Sequence, residues 1–467
     1  MNVKGRTEQE PPDPIKDMDD VRPDGSVGHE RLGGGKNEGV QESSMMECVL
    51  DRENIDRAWK RVRANHGAPG IDGMTIEQFP EFFRENWERL HSALMEGTYR
   101  PAAVRRVFIP KPDGSQRPLG VPTVLDRLIQ QALAQVLNPL FESGFSDHSY
   151  GFREDRNAHQ ALREVEASWK ARRRQAVDCD LKSFFDTVNH DRLMEQLRGK
   201  VRDRKVLRLI RCYLEAGVEL PNGAREATLC GVPQGGPLSP LLANIVLDPL
   251  DKELEKRGHH FARYADDFLI MVRSAKAAKR VKESVTRFVE GTLKLEINQD
   301  KSRSAPLRQC SFLGFQIGSR GKLVWTAKVQ ERFKRRVREI TSRSRGVRVQ
   351  DVIVELRRYV IGWLGYFGIS HTYRVLLELE EWVRRRVRLY YWKQWKRPGT
   401  RRRHLMALGV AVDKTQMATG SRKGYWRISF SRVVHYGLTN AWLKEQGVPD
   451  MRAKWIAIHY PDSSQVV

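Results

Sequence analysis

Asp266 and Asp267 are adjacent carboxylates in the run His260-Phe261-Ala262-Arg263-Tyr264-Ala265-Asp266-Asp267-Phe268-Leu269-Ile270-Met271-Val272. Aromatic and branched side chains on both flanks predict a β-hairpin with buried strands and the acidic pair at its tip. Two ionised neighbours repel, and burying them unpaired is costly. Mg²⁺, which favours hard oxygen ligands, relieves both problems. For this pair alone, the plain alternative is an Asp-rich surface turn. A second acidic segment changes the balance. Residues 176–186 read as a buried strand, a turn and the approach to a helix near His190, with Asp180 where the strand ends. Asp178 and Asp186 in the same stretch are read as structural.

Three further pieces have matching chemistry. Residues 105–120 read as strand, Pro-Asp-Gly turn and strand, placing Lys111 and Arg117 where both reach one polyphosphate. The alternative is a pair of solvated hairpin charges. Phe185 is a rigid ring that, beneath a bound sugar, collides with a 2′-hydroxyl; its alternative is a core phenylalanine. Gln234, followed by Gly235-Gly236, lies in a loop feeding a helix, with Ser239 as its expected N-cap and Pro240 as its first residue. The glycines let backbone approach a base pair closely, and Gln234 offers an amide. Phosphoryl transfer to a growing strand needs an activated 3′-oxygen and a stabilised pyrophosphate, a task suited to two Mg²⁺ ions about 3.5–4 Å apart. Asp180, Asp266 and Asp267 are the expected ligands.

The chain that must position these groups has 467 residues, a net charge of +24 and a pI near 10.0, which point to a polyanionic partner. No apolar run is long enough for a membrane span, so no membrane partner is expected. Five scattered cysteines without a Cys-x-x-Cys pair argue for a reducing, cytoplasmic setting and against a zinc module.

Residues 1–45, rich in Gly, Pro, Asp and Glu, read as a disordered leader, with Met45-Met46 an alternative start of translation. Residues 46–100 read as a small helical lobe interrupted by a glycine-rich turn at 67–73, and further boundaries fall near residues 101, 326 and 401. Residues 331–410 hold 21 Lys and Arg against 7 Asp and Glu, and eight of the 11 tryptophans lie beyond residue 320. A long helix over 372–395 puts Leu376, Leu379, Val383, Val387 and Tyr390 on one side. Arg384, Arg385, Arg388 and Lys393 then read as RNA-binding residues, with Trp363, Trp382, Trp392 and Trp395 available for stacking.

Taken together, the Tyr264-to-Asp267 hairpin, the Asp180-to-Phe185 segment, the 231–240 loop and the Lys111/Arg117 hairpin resemble reverse transcriptase motifs. The segments at 67–73, 149–153, 312–315 and 358–396 narrow the resemblance to the bacterial group II intron reverse transcriptase/maturase, over roughly residues 46–440. It implies an α+β right-hand polymerase, with a helical extension of the fingers over 46–100 and fingers and palm built from antiparallel sheet and helices over 101–325. It assigns an α-helical thumb/maturase domain to 326–400 and a basic, DNA-binding-like region to 401–467. It also implies copying of group II intron RNA into DNA from a DNA target or primer with dNTPs, and help in splicing the same RNA. Carried onto this sequence, Asp180, Asp266 and Asp267 form the metal site, with Asp266 the firmer ligand of the pair. Lys111 and Arg117 meet the triphosphate, and Phe185 is the steric gate.

Many relatives end in an HNH-type nuclease with paired cysteines, whereas no cysteine follows Cys310 here. The resemblance is therefore to short-tailed lineages that insert at single-stranded DNA, a nick or a replication fork. The rival readings are a reverse transcriptase of a retron, diversity-generating or defence lineage, and an RNA-binding splicing factor that no longer polymerises.

Overall fold

The computed structural model describes residues 44–110, 114 and 116–461, so Lys111 and almost all of the expected leader lie outside the described residues. The chain divides into two compact units, residues 1–156 with 177–270 and 279–303, and residues 157–176 with 271–278 and 304–467. Helices and mixed sheets together make an α+β fold.

In the first unit, β1 (Val104–Pro110) and β2 (Gln116–Val121) form the expected hairpin, with Ile109 opposite Arg117. After β3 (Gln175–Asp180), the short strands β4 (Val218–Glu219) and β5 (Arg225–Glu226) extend that hairpin into a sheet ordered β2-β1-β4-β5. A second sheet holds β6 (His260–Tyr264), β7 (Asp267–Val272) and β3 side by side in that order. Phe268, Leu269, Ile270 and Met271 are all buried. Their unbroken apolar run, without polar alternation, marks a strand covered on both faces.

The expected helix beyond residue 231 is present as Ser239–Lys256, with Leu241, Leu242, Ile245, Leu250 and Leu254 buried. Its start corrects the sequence reading. Leu238 is the N-cap and Ser239 the first helical residue. The Ser239 hydroxyl donates to the Pro233 carbonyl at 2.6 Å, tying the loop to the helix instead of capping it. Thr123 does cap the helix Val124–Glu142, accepting from the Asp126 amide.

In the second unit, the helices Ala327–Ile340 and Val349–Phe367 share an aromatic core, and the helix Tyr373–Gln394 follows them. The Trp363 ring lies 4.5 Å from Phe333, 4.9 Å from Trp325 and 5.1 Å from Phe367. Trp363, Trp392 and Trp395 are buried. They are packing residues and present no face for a base, which corrects their expected stacking role.

Candidate active site

The acidic hairpin has a two-residue turn, Ala265-Asp266, and Asp267 is the first residue of β7. Ala265 has φ +59°, a left-handed conformation that an alanine holds only when its surroundings impose it. The imposing group is Arg263, whose side chain is fully buried. Its guanidinium grips Asp251 with contacts of 2.5–3.0 Å and donates to Asn244 Oδ1 and to the Ala265 carbonyl, each at 3.0 Å. Asn244 in turn donates to the Gly151 carbonyl at 2.9 Å. Gly151 lies so close to the turn that a Cβ there would sit 2.3 Å from the Ala265 nitrogen. The 149–153 loop is thus a backstop for the hairpin.

Asp180 ends β3, the hydrogen-bonded neighbour of β7. Its backbone is fixed on both sides: Ser302 Oγ accepts from the Asp180 amide at 2.9 Å, and the Asp180 carbonyl accepts from the Asn298 amide at 2.9 Å. Its carboxylate lies 3.4 Å from the exposed Lys301 ammonium, a solvated contact worth at most about 1 kcal/mol.

These carboxylates share one field. Burial, followed by the charges of Asp178, Asp266 and Asp180, pushes the Asp267 carboxyl up to about 7. Burial and the Asp180 charge raise Asp266, while its own backbone amide, Arg117 and Arg263 oppose that rise. Burial also raises Asp178, against the pull of Arg303, which lies 3.6 Å away. Asp178 thus adds its charge to the cluster while pairing with Arg303, as a structural carboxylate can. Asp178 and Asp180 are two apart on a strand and face the same side, opposite buried Val177 and Cys179.

Among the described residues, no three metal-ligating side chains already close on one point. The donor chemistry nevertheless fits a hard divalent cation. The cluster consists of carboxylates, and the unfavourable charge on half-buried Asp267 is of the sign that a cation relieves.

A cavity of about 260 Å³ is lined by Arg106, Gly120, Phe185, Gly231 and Gln234 among others. The two adjacent phenylalanines divide their tasks. Phe184 is in the core, while Phe185 is half-buried and borders the cavity. The loop is tied down on both sides, since Val232 donates to the Phe185 carbonyl at 2.6 Å and Gly120 to the Gln234 carbonyl at 2.8 Å. Gly235, at φ +132°, has no room for a side chain: a Cβ would meet the Gly120 oxygen at 2.4 Å. Arg117 is exposed, and its charge reaches Asp266.

The expected RNA-binding arginines are otherwise engaged. Arg388 is buried, donating to the Leu438 carbonyl at 2.8 Å and to Asn440 Oδ1 at 2.7 Å. Arg384 pairs with Glu380 at 2.8 Å, and Arg385 donates to the Trp426 carbonyl at 2.9 Å. Arg385 and Arg388 tie the downstream chain to the long helix, whereas Arg384 pairs within that helix; the expectation of a phosphate grip is corrected for the buried Arg388. Lys393 is exposed.

Residues 109–317 match the family described as reverse transcriptase (RNA-dependent DNA polymerase), and residues 330–409 match the group II intron, maturase-specific domain. Protein YkfC of Escherichia coli (strain K12) is 34% identical over 299 residues, 56% of this chain and 78% of that protein. The chain belongs to the group II intron reverse transcriptase/maturase family. Group II intron-encoded protein LtrA of Lactococcus lactis subsp. cremoris is 31% identical over 346 residues, 59% of this chain and 57% of LtrA. The chain thus spans little more than half the length of that relative. In this reverse transcriptase/maturase, Arg117, Asp180, Phe185, Gln234, Asp266 and Asp267 fall within the first matched segment and Lys393 within the second.

Proposed function

We propose that this chain is a group II intron-encoded RNA-directed DNA polymerase, copying intron RNA into DNA for retromobility and assisting the splicing of that RNA. The observation that carries the reading is the shared field of Asp180, Asp266 and Asp267, at the ends of two neighbouring strands, within the segment that matches the polymerase family. Asp180, Asp266 and Asp267 would hold two Mg²⁺ ions, with Asp178 adjoining them. Bound metal would supply Lewis-acid activation of a primer hydroxyl and charge stabilisation of the departing pyrophosphate.

The remaining residues bind, orient and exclude. Arg117, with Lys111, neutralises the triphosphate of an incoming dNTP; its charge already bears on Asp266. Gln234 and the pinned glycine loop shape one wall for the nascent base pair. Phe185 borders the same cavity and rejects a ribose 2′-hydroxyl. Arg263 keeps the strained turn from relaxing. Intron RNA serves as template and splicing partner, and a DNA target strand supplies the primer. No helix among the described residues is long and apolar enough to cross a membrane, and a cytoplasmic site of action accords with the thiol-only cysteines.

Extension of oligo(dT) on poly(rA) with dTTP tests the proposal. Incorporation should require Mg²⁺ and stop with EDTA. Absence of any incorporation by folded, RNA-binding protein would contradict it.

A further inference from the structure

We propose that residues Tyr425 to Phe430, with the cations gathered around them, form an RNA-contact surface in the C-terminal unit. The inference deepens the maturase reading and rests on it.

Three cations from separate elements converge on one tyrosine ring. The Arg343 guanidinium, beyond the helix Ala327–Ile340, lies 5.3 Å from the Tyr425 ring centre. Lys393 Nζ, in the last turn of Tyr373–Gln394, lies at 5.5 Å. The Arg401 guanidinium, on Pro398–Ala407, lies at 5.4 Å and donates to the Tyr425 hydroxyl at 3.3 Å. Each cation gains roughly 0.5–1 kcal/mol or somewhat more from this half-buried ring. All three nonetheless lie within about a Debye length, 8–10 Å, of one another's shared centre, so they act as one positive patch. None of the three enters an ion pair with a carboxylate among the described residues. An arginine or lysine cluster of this kind attracts a phosphate backbone.

Beside the patch in sequence stand two exposed rings, the second edge-on to His435 at 5.7 Å. Trp426 is 39% exposed and Phe430 66% exposed. Arg385 lies 3.8 Å from the first ring centre and 4.9 Å from the second, and its donation to the Trp426 carbonyl fixes it there. The arginine thus braces both aromatics while leaving much of their surface in solvent. Cations for a backbone next to braced rings for bases is the chemistry of unpaired nucleotides. Folded RNA presents such nucleotides in loops and bulges, whereas duplex DNA keeps its bases stacked inside. Arg343, Lys393 and Arg401 also fall within the maturase-specific segment, which favours RNA.

The test uses the full chain with two probes, a labelled 30-nucleotide RNA stem-loop with an unpaired loop and a 30-base-pair DNA duplex, without dNTP or Mg²⁺. The triple variant Arg343→Gln, Lys393→Gln, Arg401→Gln should bind the RNA less tightly. The slope of log affinity against log salt should fall by up to roughly 2, about 0.7 for each lost phosphate contact to a single strand. The double variant Trp426→Ala, Phe430→Ala should lose about 10- to 100-fold in RNA affinity with its salt slope unchanged. Duplex binding should follow wild type in both. Unchanged RNA affinity in the two variants, with wild-type thermal unfolding, overturns the proposal. So does an equal loss on the duplex, which would make the patch a general phosphate grip. If the triple variant misfolds, the surface-exposed aromatic pair still decides the question. Because no nucleotide is incorporated in this assay, its outcome is independent of whether the polymerase reading stands.

Discussion

The Arg263 guanidinium donates to the Ala265 carbonyl at 3.0 Å from a position with no solvent exposure. The bond spans two residues and closes the turn from within, immediately before Asp266. The same guanidinium is held by Asp251, 2.5 Å away, so a helix residue far from the hairpin determines where the acidic pair points. The strain at Ala265 is sustained by these buried polar bonds.

Arg263→Lys keeps the charge but loses the planar fork that serves Asp251, Asn244 and Ala265 together. The kcat for dTTP incorporation should fall about tenfold or more, with KM near that of wild type, because placement of the acidic pair is lost while nucleotide contacts are not. Steady-state kinetics on poly(rA)/oligo(dT) would show it. A wild-type kcat would mean that the turn is held by its backbone alone.

Asp251→Ala leaves a buried guanidinium without its counter-charge and should cost about 3–5 kcal/mol of stability. Urea unfolding of the isolated protein measures this directly. A loss under about 1 kcal/mol would show that Asn244 and the Ala265 carbonyl suffice to hold the cation.

Phe185→Val removes the ring bordering the cavity, and incorporation of ribonucleotides should rise while dNTP use is retained. Single-nucleotide extension with rATP or dATP opposite a template uracil compares the two. Continued rejection of the ribonucleotide would make Phe185 a packing residue like its neighbour Phe184.

Arg388→Ala should destabilise the second unit by about 1–3 kcal/mol, since the Leu438 carbonyl loses its buried donor. The salt dependence of RNA binding should stay as in wild type. A reduced salt slope with undiminished thermal stability would return Arg388 to the RNA-binding set.

Much of the site was legible because its signals are local. Aromatic and branched runs around turn residues mark the hairpins; a short buried-strand pattern ending in a carboxylate marks β3; Thr123 announces its helix. What stayed hidden depends on chain that arrives from elsewhere. Arg388 lies off the apolar stripe of its helix, yet residues near Leu438 and Asn440 cover that side, and no periodicity within 372–395 records it. The choice between Phe184 and Phe185 turns on a four-residue helix after Ser183 at φ +47°, which composition does not fix. Ser239 looked like a cap because the Pro233 carbonyl that claims its hydroxyl is supplied by the folded loop. Arg263 carried no sequence signal at all; its partners lie 12 and 19 residues away, on a helix that reads as ordinary core. Strand periodicity puts Asp178 on the same side as Asp180, but its pairing with Arg303 is supplied by a strand far along the chain.

If Asp180, Asp266 and Asp267 jointly form a metal-dependent polymerase centre, Asp266→Asn disables it with almost no change of shape. Initial rates of dTTP incorporation should be compared with wild type at RNA concentrations that saturate both proteins. The account predicts equal RNA affinity and a rate at least about 10²–10³-fold lower, corresponding to the several kcal/mol of charge stabilisation that a correctly held metal supplies. Incorporation by the variant within a few-fold of an active wild type would contradict it.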